Sequence, residues 1–253
     1  MTKDEQWLLE EKYGGVRTPK YEVDKKRLAI GEPLGYVIGS QPFLGLNIFL
    51  DSRPLIPRPE TEWWTEQLLN KLTQSGCVHD ELRFLDLCAG SGAIGCAVLA
   101  RMPNAQVYFG EIDPAHEATI LKNIRANNLD ESRAHICIGD LFEPFKNQKF
   151  DIITANPPYI PADRVLDNSV TDYEPARALF AGADGLDLIR RIASALPKHL
   201  ASGDEAWIEV DSAHAVAACA LFANQGLSAE IIADQYDQPR IIVCRHTEAR
   251  SAQ

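Results

Sequence analysis

Apolar positions along the chain follow two rhythms. Short, nearly continuous apolar runs bounded by turn residues read as buried strands. Runs with apolar residues three or four apart read as helices. From residue 83 onward the two alternate. Strands are predicted at 83–87, 106–109, 135–138, 150–155, 205–210, 229–233 and 240–245. Helices are predicted at 92–102, 114–127, 184–200 and 213–225. Such alternation implies an α/β fold: a seven-stranded, mostly parallel sheet covered by helices on both faces. The last two strands are separated only by 234–239, too short for a crossover, so the last strand is expected to run antiparallel.

The first third of the chain has a different texture. Residues 1–31 are polar apart from Trp7, Leu8 and Leu9, and predict one or two short helices. The stretch 31–59 is rich in glycine and proline around Tyr36-Val37-Ile38 and Leu46-Asn47-Ile48-Phe49-Leu50, which reads as a β-hairpin. A helix over 61–72 follows, with Thr61 as its cap and Trp64, Leu68, Leu69 and Leu72 on one face. A loop comes next at Ser75-Gly76. The chain thus divides into an N-terminal helical segment (1–31), a hairpin linker (32–59) and a main α/β domain (60–253).

Composition places few further limits. Hydrophobic residues are 45% and charged residues 24%, ordinary for a globular protein. The formal net charge of −11 disfavours a phosphate backbone as partner, and the densest basic clusters are only Lys25-Lys26-Arg27 and Arg190-Arg191. The six cysteines form no CxxC pair and have no histidines at zinc-binding spacing, so no metal is expected. Reduced thiols point to a cytoplasmic protein. The charged opening 1–11 lacks the apolar core of a signal peptide, and no apolar run approaches the ~18 residues of a membrane span.

Candidate chemistry begins at the first strand of the alternation. Asp86 precedes Leu87-Cys88-Ala89-Gly90-Ser91-Gly92, a glycine-rich turn running into a helix. Gly90 and Gly92 permit close approach to a ligand, and the helix start offers unpaired N–H groups. Glu111 follows about 20 residues later, as in dinucleotide-binding folds where the carboxylate holds a ribose hydroxyl. The motif alone does not separate NAD from S-adenosylmethionine. Asp86 favours the latter, since a carboxylate there suits an ammonium and a sulfonium and repels a pyrophosphate. Asp140, after the third strand, can accept from an adenine amino group while Leu141 covers the ring.

The most specific feature is Asn156-Pro157-Pro158-Tyr159, after the fourth strand. An amide nitrogen is a poor nucleophile because its lone pair is delocalised. Holding its N–H groups with acceptors favours charge on it. Asn156 supplies a side-chain carbonyl and Pro157 a backbone carbonyl. The prolines stiffen the loop and carry no N–H. Tyr159 offers a flat face to a planar group.

The class I methyltransferase fold is suggested by residues 83–245, and the tetrapeptide resembles that of amino-methyltransferases acting on glutamine, adenine N6 or cytosine N4. Four further segments narrow the choice. Gly31-Glu32-Pro33-Leu34-Gly35-Tyr36-Val37-Ile38-Gly39, with Phe43, is followed by Leu55-Ile56-Pro57-Arg58-Pro59-Glu60-Thr61-Glu62. Tyr173-Glu174-Pro175 and Asp184-Gly185-Leu186 complete the set. Together they resemble the HemK/PrmC family of peptide chain release factor N5-glutamine methyltransferases. The resemblance implies S-adenosylmethionine as cofactor, contacted by Asp86 to Gly92, Glu111, Asp140 and Leu141, with Asn156 at the same site. It implies substrate glutamine held by Asn156 and Pro157, with the Arg58-Pro59-Glu60-Thr61 turn beside the cofactor. Pro158 and Tyr159 complete the expected substrate wall. Members of that family usually carry a longer N-terminal helical domain. They commonly have Gly where this chain has Cys88, Thr where it has Ala89 and Ser91, and Asp where it has Glu111. Alternatives are a ribosomal-protein glutamine or a nucleic-acid adenine N6 as acceptor. A cofactor-binding protein without catalysis would not be expected to keep the tetrapeptide intact.

Overall fold

The computed structural model describes residues 1–74 and 81–247. The loop expected at Ser75-Gly76, and Cys77, lie outside these. The chain opens with α1 (Lys3–Trp7), capped by Thr2 and continued by a π-type turn over Leu8–Lys12. α2 (Pro19–Ala29) starts with a proline behind the cap Thr18. α3 (Leu34–Ile38) ends at Gly39, whose φ of 99° only glycine adopts at low cost. Leu8, Tyr21 and Val37 bury one another in a small core of their own.

The strand expected at Tyr36-Val37-Ile38 is therefore a helical turn. Its apolar run buries Tyr36 on the linker and Val37 on the N-terminal helices, two directions that a helical turn can serve. The hairpin itself lies just beyond, as β1 (Ser40–Phe43) and β2 (Leu46–Phe49). Leu44 and Gly45 both take positive φ, the two-residue turn matched to strand twist. Phe43 and Ile48 from the hairpin enter the main core.

α4 (Pro59–Gln74) starts two residues before the predicted helix. Thr61 therefore lies inside the first turn, not at the cap, and its side chain is directed into the protein. The main domain then runs β3 (Arg83–Leu87), α5 (Ala93–Arg101), β4 (Gln106–Glu111), α6 (Glu117–Ala126), β5 (Ala134–Ile138) and β6 (Phe150–Ala155). After a long connection carrying the one-turn α7 (Asn168–Thr171) come α8 (Asp187–His199), β7 (Leu200–Glu209), α9 (Ala215–Ala223), β8 (Leu227–Ala233) and β9 (Pro239–His246).

Among the described residues these seven strands form one sheet of order β5-β4-β3-β6-β7-β9-β8. β3 to β7 pair in parallel, and β9 runs antiparallel to both β7 and β8, as its short connection requires. Side chains alternate between two cores. Phe84, Val107, Phe109 and Ile152 face α4, α5 and α6. Leu85, Leu87, Ile153 and Ile208 face α8 and α9. Chain order runs outward from β3 to β5 on one side and from β6 to β7 on the other. The carboxyl ends of β3 and β6 thus border the crevice where α/β sheets bind ligands. Among the described residues, no helix is long and apolar enough to cross a membrane.

Candidate active site

At that crevice lies a cavity of about 320 Å³. Cys88 and Gly90 after β3, Glu111 ending β4, Gly139, Asp140 and Leu141 after β5, and Asn156 and Pro158 after β6 all line it. A second cavity of about 300 Å³ adjoins it, lined by Arg58, Asn156, Pro157, Tyr159, Val170 and Leu179 among others. Leu55, Asn156 and Ala178 belong to both. Asn156 is thus part of the wall between two compartments.

The glycine turn is held from several directions. Glu111 Oε2 accepts the N–H of Gly90 at 2.7 Å, and Oε1 that of Asp113 at 2.8 Å. Gly95 has room for no side chain, since a Cβ there would stand 2.2 Å from Phe109 Cε1. The fully buried Asn123 donates to Ser91 O at 2.9 Å and exchanges two hydrogen bonds with Phe49, tying hairpin to loop. Nothing in the local sequence around Asn123 signals this role.

Asp86 departs from its expected place. It shares a face with Phe84, under α5, because β-strand side chains alternate. It is fully buried, with Oδ2 accepting from Gly95 N at 2.9 Å and Oδ1 without a partner. Burial pushes its carboxyl up to about 8, against the lowering effect of the Gly95 hydrogen bond and with a smaller push from the Glu111 charge. Cys88, Gly90, Glu111, Asp140 and Leu141 meet the cavity, whereas Asp86, Ala89, Ser91 and Gly92 are not among its lining. Burial raises the Cys88 thiol far above its ordinary range, so it stays protonated.

Among residues lining the first cavity, both arginines are paired: Arg191 with Asp140 at 2.8 Å, Arg177 with Asp113 at 3.9 Å. Among the described residues, neither lining arginine is left unpaired to meet a pyrophosphate there. Carboxylates and an apolar floor of Leu87 and Leu141 suit a ligand with hydroxyl and amino donors and a flat ring.

The tetrapeptide is anchored through Thr61 and Trp64 of α4 to Glu209, a residue that the sequence did not single out. Asn156 Nδ2 donates to Thr61 Oγ1 at 3.0 Å, and Thr61 donates to Glu209 Oε2 at 2.7 Å. Trp64 Nε1 donates to the same oxygen at 2.8 Å, and Tyr159 Oη to Glu209 Oε1 at 3.0 Å. Burial raises the Glu209 carboxyl above its ordinary range, opposed by these three donors. Burial, with the Glu209 charge, keeps Tyr159 a neutral phenol.

A second clamp joins the linker to the connection after β6. Buried Glu174 accepts from Arg58 Nη2 at 2.6 Å and from Ile56 N at 3.1 Å. Of the Arg58-to-Thr61 turn, Arg58 lines the second cavity, while Leu55 from the same linker reaches the first.

Sheet order and glycine turn are those of the class I methyltransferase fold. A crystal structure of a methyltransferase from Pyrococcus furiosus shares the fold at a TM-score of 0.58 and 15% identity, over 89% of this chain and 100% of that one. The family model described as "Methyltransferase small domain" matches residues 62–184. The chain is 37% identical over 202 residues to a release factor glutamine methyltransferase of Geobacter sulfurreducens, covering 79% of this chain and 68% of that protein. It is 34% identical over 223 residues to that of Thermodesulfovibrio yellowstonii, covering 86% and 78%. The chain belongs to the release factor glutamine methyltransferase family.

Proposed function

We propose that the protein transfers the methyl group of S-adenosylmethionine to the side-chain N5 of the glutamine in the Gly-Gly-Gln loop of peptide chain release factors. The observation that carries this reading is Asn156 in the wall between the two cavities, with its nitrogen tied to Thr61 and its carbonyl oxygen left for a donor. Family membership supports it.

The first cavity fits the cofactor. Glu111 would hold ribose hydroxyls, Asp140 the adenine amino group and Leu141 the ring face, with Cys88 and Gly90 against the remainder. When bound, the cofactor supplies an electrophilic methyl carbon on a sulfonium that already carries the leaving-group charge.

This chain's own residues orient the acceptor. The Asn156 side-chain carbonyl and the Pro157 backbone carbonyl accept the two amide N–H groups, and Pro158 and Tyr159 stiffen and flank that grip. Both acceptors favour positive charge building on nitrogen as it reacts. Such positioning is worth up to roughly 7–11 kcal/mol in favourable cases.

The second cavity admits a thin segment, and glycines flanking a glutamine lack side chains that would strike Pro157 or Leu179. A duplex base would first have to be flipped out, and the net charge of −11 disfavours gripping phosphates. The protein acts in the cytoplasm, beside the translation machinery. Its chain divides into an N-terminal segment (1–31), a linker (32–59) and a catalytic domain (60–253).

The test is a competition with labelled S-adenosylmethionine among a release factor, its loop Gln-to-Ala variant, a ribosomal protein and DNA. Label is expected on the wild-type release factor alone, at the loop glutamine. Equal labelling of the loop variant, or preferential labelling of DNA, would overturn the proposal.

A further inference from the structure

To accept a substrate amide N–H, Asn156 must show it oxygen, not nitrogen. The two ends of an asparagine amide are nearly alike in shape, so shape alone does not choose between them. We infer that Glu209 makes that choice through Thr61, and that both are positioning residues for methyl transfer; the inference rests on the proposed role of Asn156.

The direction of each hydrogen bond follows from one fixed donor. The Trp64 indole N–H can only donate, and it meets Glu209 Oε2 at 2.8 Å. That oxygen is therefore an acceptor. The Thr61 hydroxyl lies 2.7 Å from the same oxygen, so its single proton is spent there. Thr61 Oγ1 then faces Asn156, 3.0 Å away, as an acceptor. It is satisfied by the amide nitrogen and would repel the carbonyl oxygen. Asn156 Oδ1 is thereby turned away from Thr61. The remaining oxygen of Glu209 takes the Tyr159 hydroxyl at 3.0 Å. One carboxylate thus orients both polar side chains of the tetrapeptide.

Burial makes the relay directional. Glu209 and Thr61 are 1% and 5% exposed, leaving little room for water to replace a missing partner or scramble the donors. A carboxylate is a costly residue to place in a core, where packing alone would be served by leucine or methionine.

The experiment compares Thr61→Val, Thr61→Ser, Glu209→Gln, Glu209→Leu and Asn156→Ala. It measures kcat and KM with a purified release factor, affinity for S-adenosylhomocysteine, and melting temperature. Thr61→Val keeps the volume and removes the relay, and Glu209→Leu removes the acceptor. Each is expected to lower kcat about tenfold or more, while product affinity stays within about twofold. Thr61→Ser restores the relay and Glu209→Gln restores an acceptor for Trp64 and Thr61, so both are expected to recover most of the rate. If Glu209→Leu does not fold, Thr61→Val decides alone.

Wild-type kcat in Thr61→Val, with activity lost in Asn156→Ala, would overturn the relay and leave the Asn156 reading standing. An equal loss in Thr61→Ser and Thr61→Val, or product affinity falling in step with kcat, would mark a packing role and also overturn it. An active Asn156→Ala would instead remove the reading beneath it.

Discussion

Glu111 Oε2 accepts the backbone N–H of Gly90 at 2.7 Å, across the turn that joins β3 to α5. The carboxylate ending one strand thereby holds the glycine loop that follows its neighbour. Both residues line the first cavity, so the shape of the loop at its rim depends on one side chain.

Glu111→Ala removes that brace together with the bond to Asp113 N. The dissociation constant for S-adenosylhomocysteine is expected to rise about tenfold or more, the worth of one or two lost hydrogen bonds. Titration calorimetry measures it. Unchanged affinity would remove Glu111 from the cofactor site.

Asp86 gives the stability a pH signature. Its carboxyl lies near 3.8 when the chain is unfolded and about 8 when folded, chiefly through burial. Between those values the folded state binds the extra proton, so stability from this group is full below about pH 4 and falls as pH rises toward 8. Asp86→Asn, which keeps an oxygen for Gly95 N, is expected to flatten that slope. Denaturant unfolding of both proteins at pH 5 and pH 8 checks this. Parallel wild-type and mutant curves would show that Asp86 is ionised at both pH values.

Glu174→Ala tests the clamp between the segment before α4 and the connection after β6. It leaves Ile56 N and Arg58 without their partner. The Arg58 side chain is 32% exposed, which weakens the ion-pair contribution. A loss of about 1–3 kcal/mol in unfolding free energy is expected from the orphaned groups. KM for the release factor should also rise, because Arg58 lines the second cavity. Wild-type stability and KM together would show the clamp to be incidental.

Much of the fold was legible along the chain because strand and helix periods are local properties. Seven strands, the glycine turn after β3 and the tetrapeptide after β6 all follow from residues near one another in sequence. The antiparallel β9 followed from a connection too short to cross the sheet. The strand expected at Tyr36-Val37-Ile38 shows where local reading fails: three apolar residues fit either period, and burial against two different partners selected the helical turn.

What the sequence alone determined, then, is which residues stand at strand ends, since chain order and turn chemistry place Cys88, Glu111, Asp140 and Asn156 there. Only the tertiary structure decided what those side chains face. Strand alternation turned Asp86 beneath α5 and away from the crevice, a consequence of register that a motif does not carry. The contact between Thr61 and Glu209 spans 148 residues, and that between Arg58 and Glu174 spans 116. Such pairs meet only because β7 lies beside β6 and the linker folds back across the sheet edge. Neighbourhood of this kind is set by packing of the whole chain.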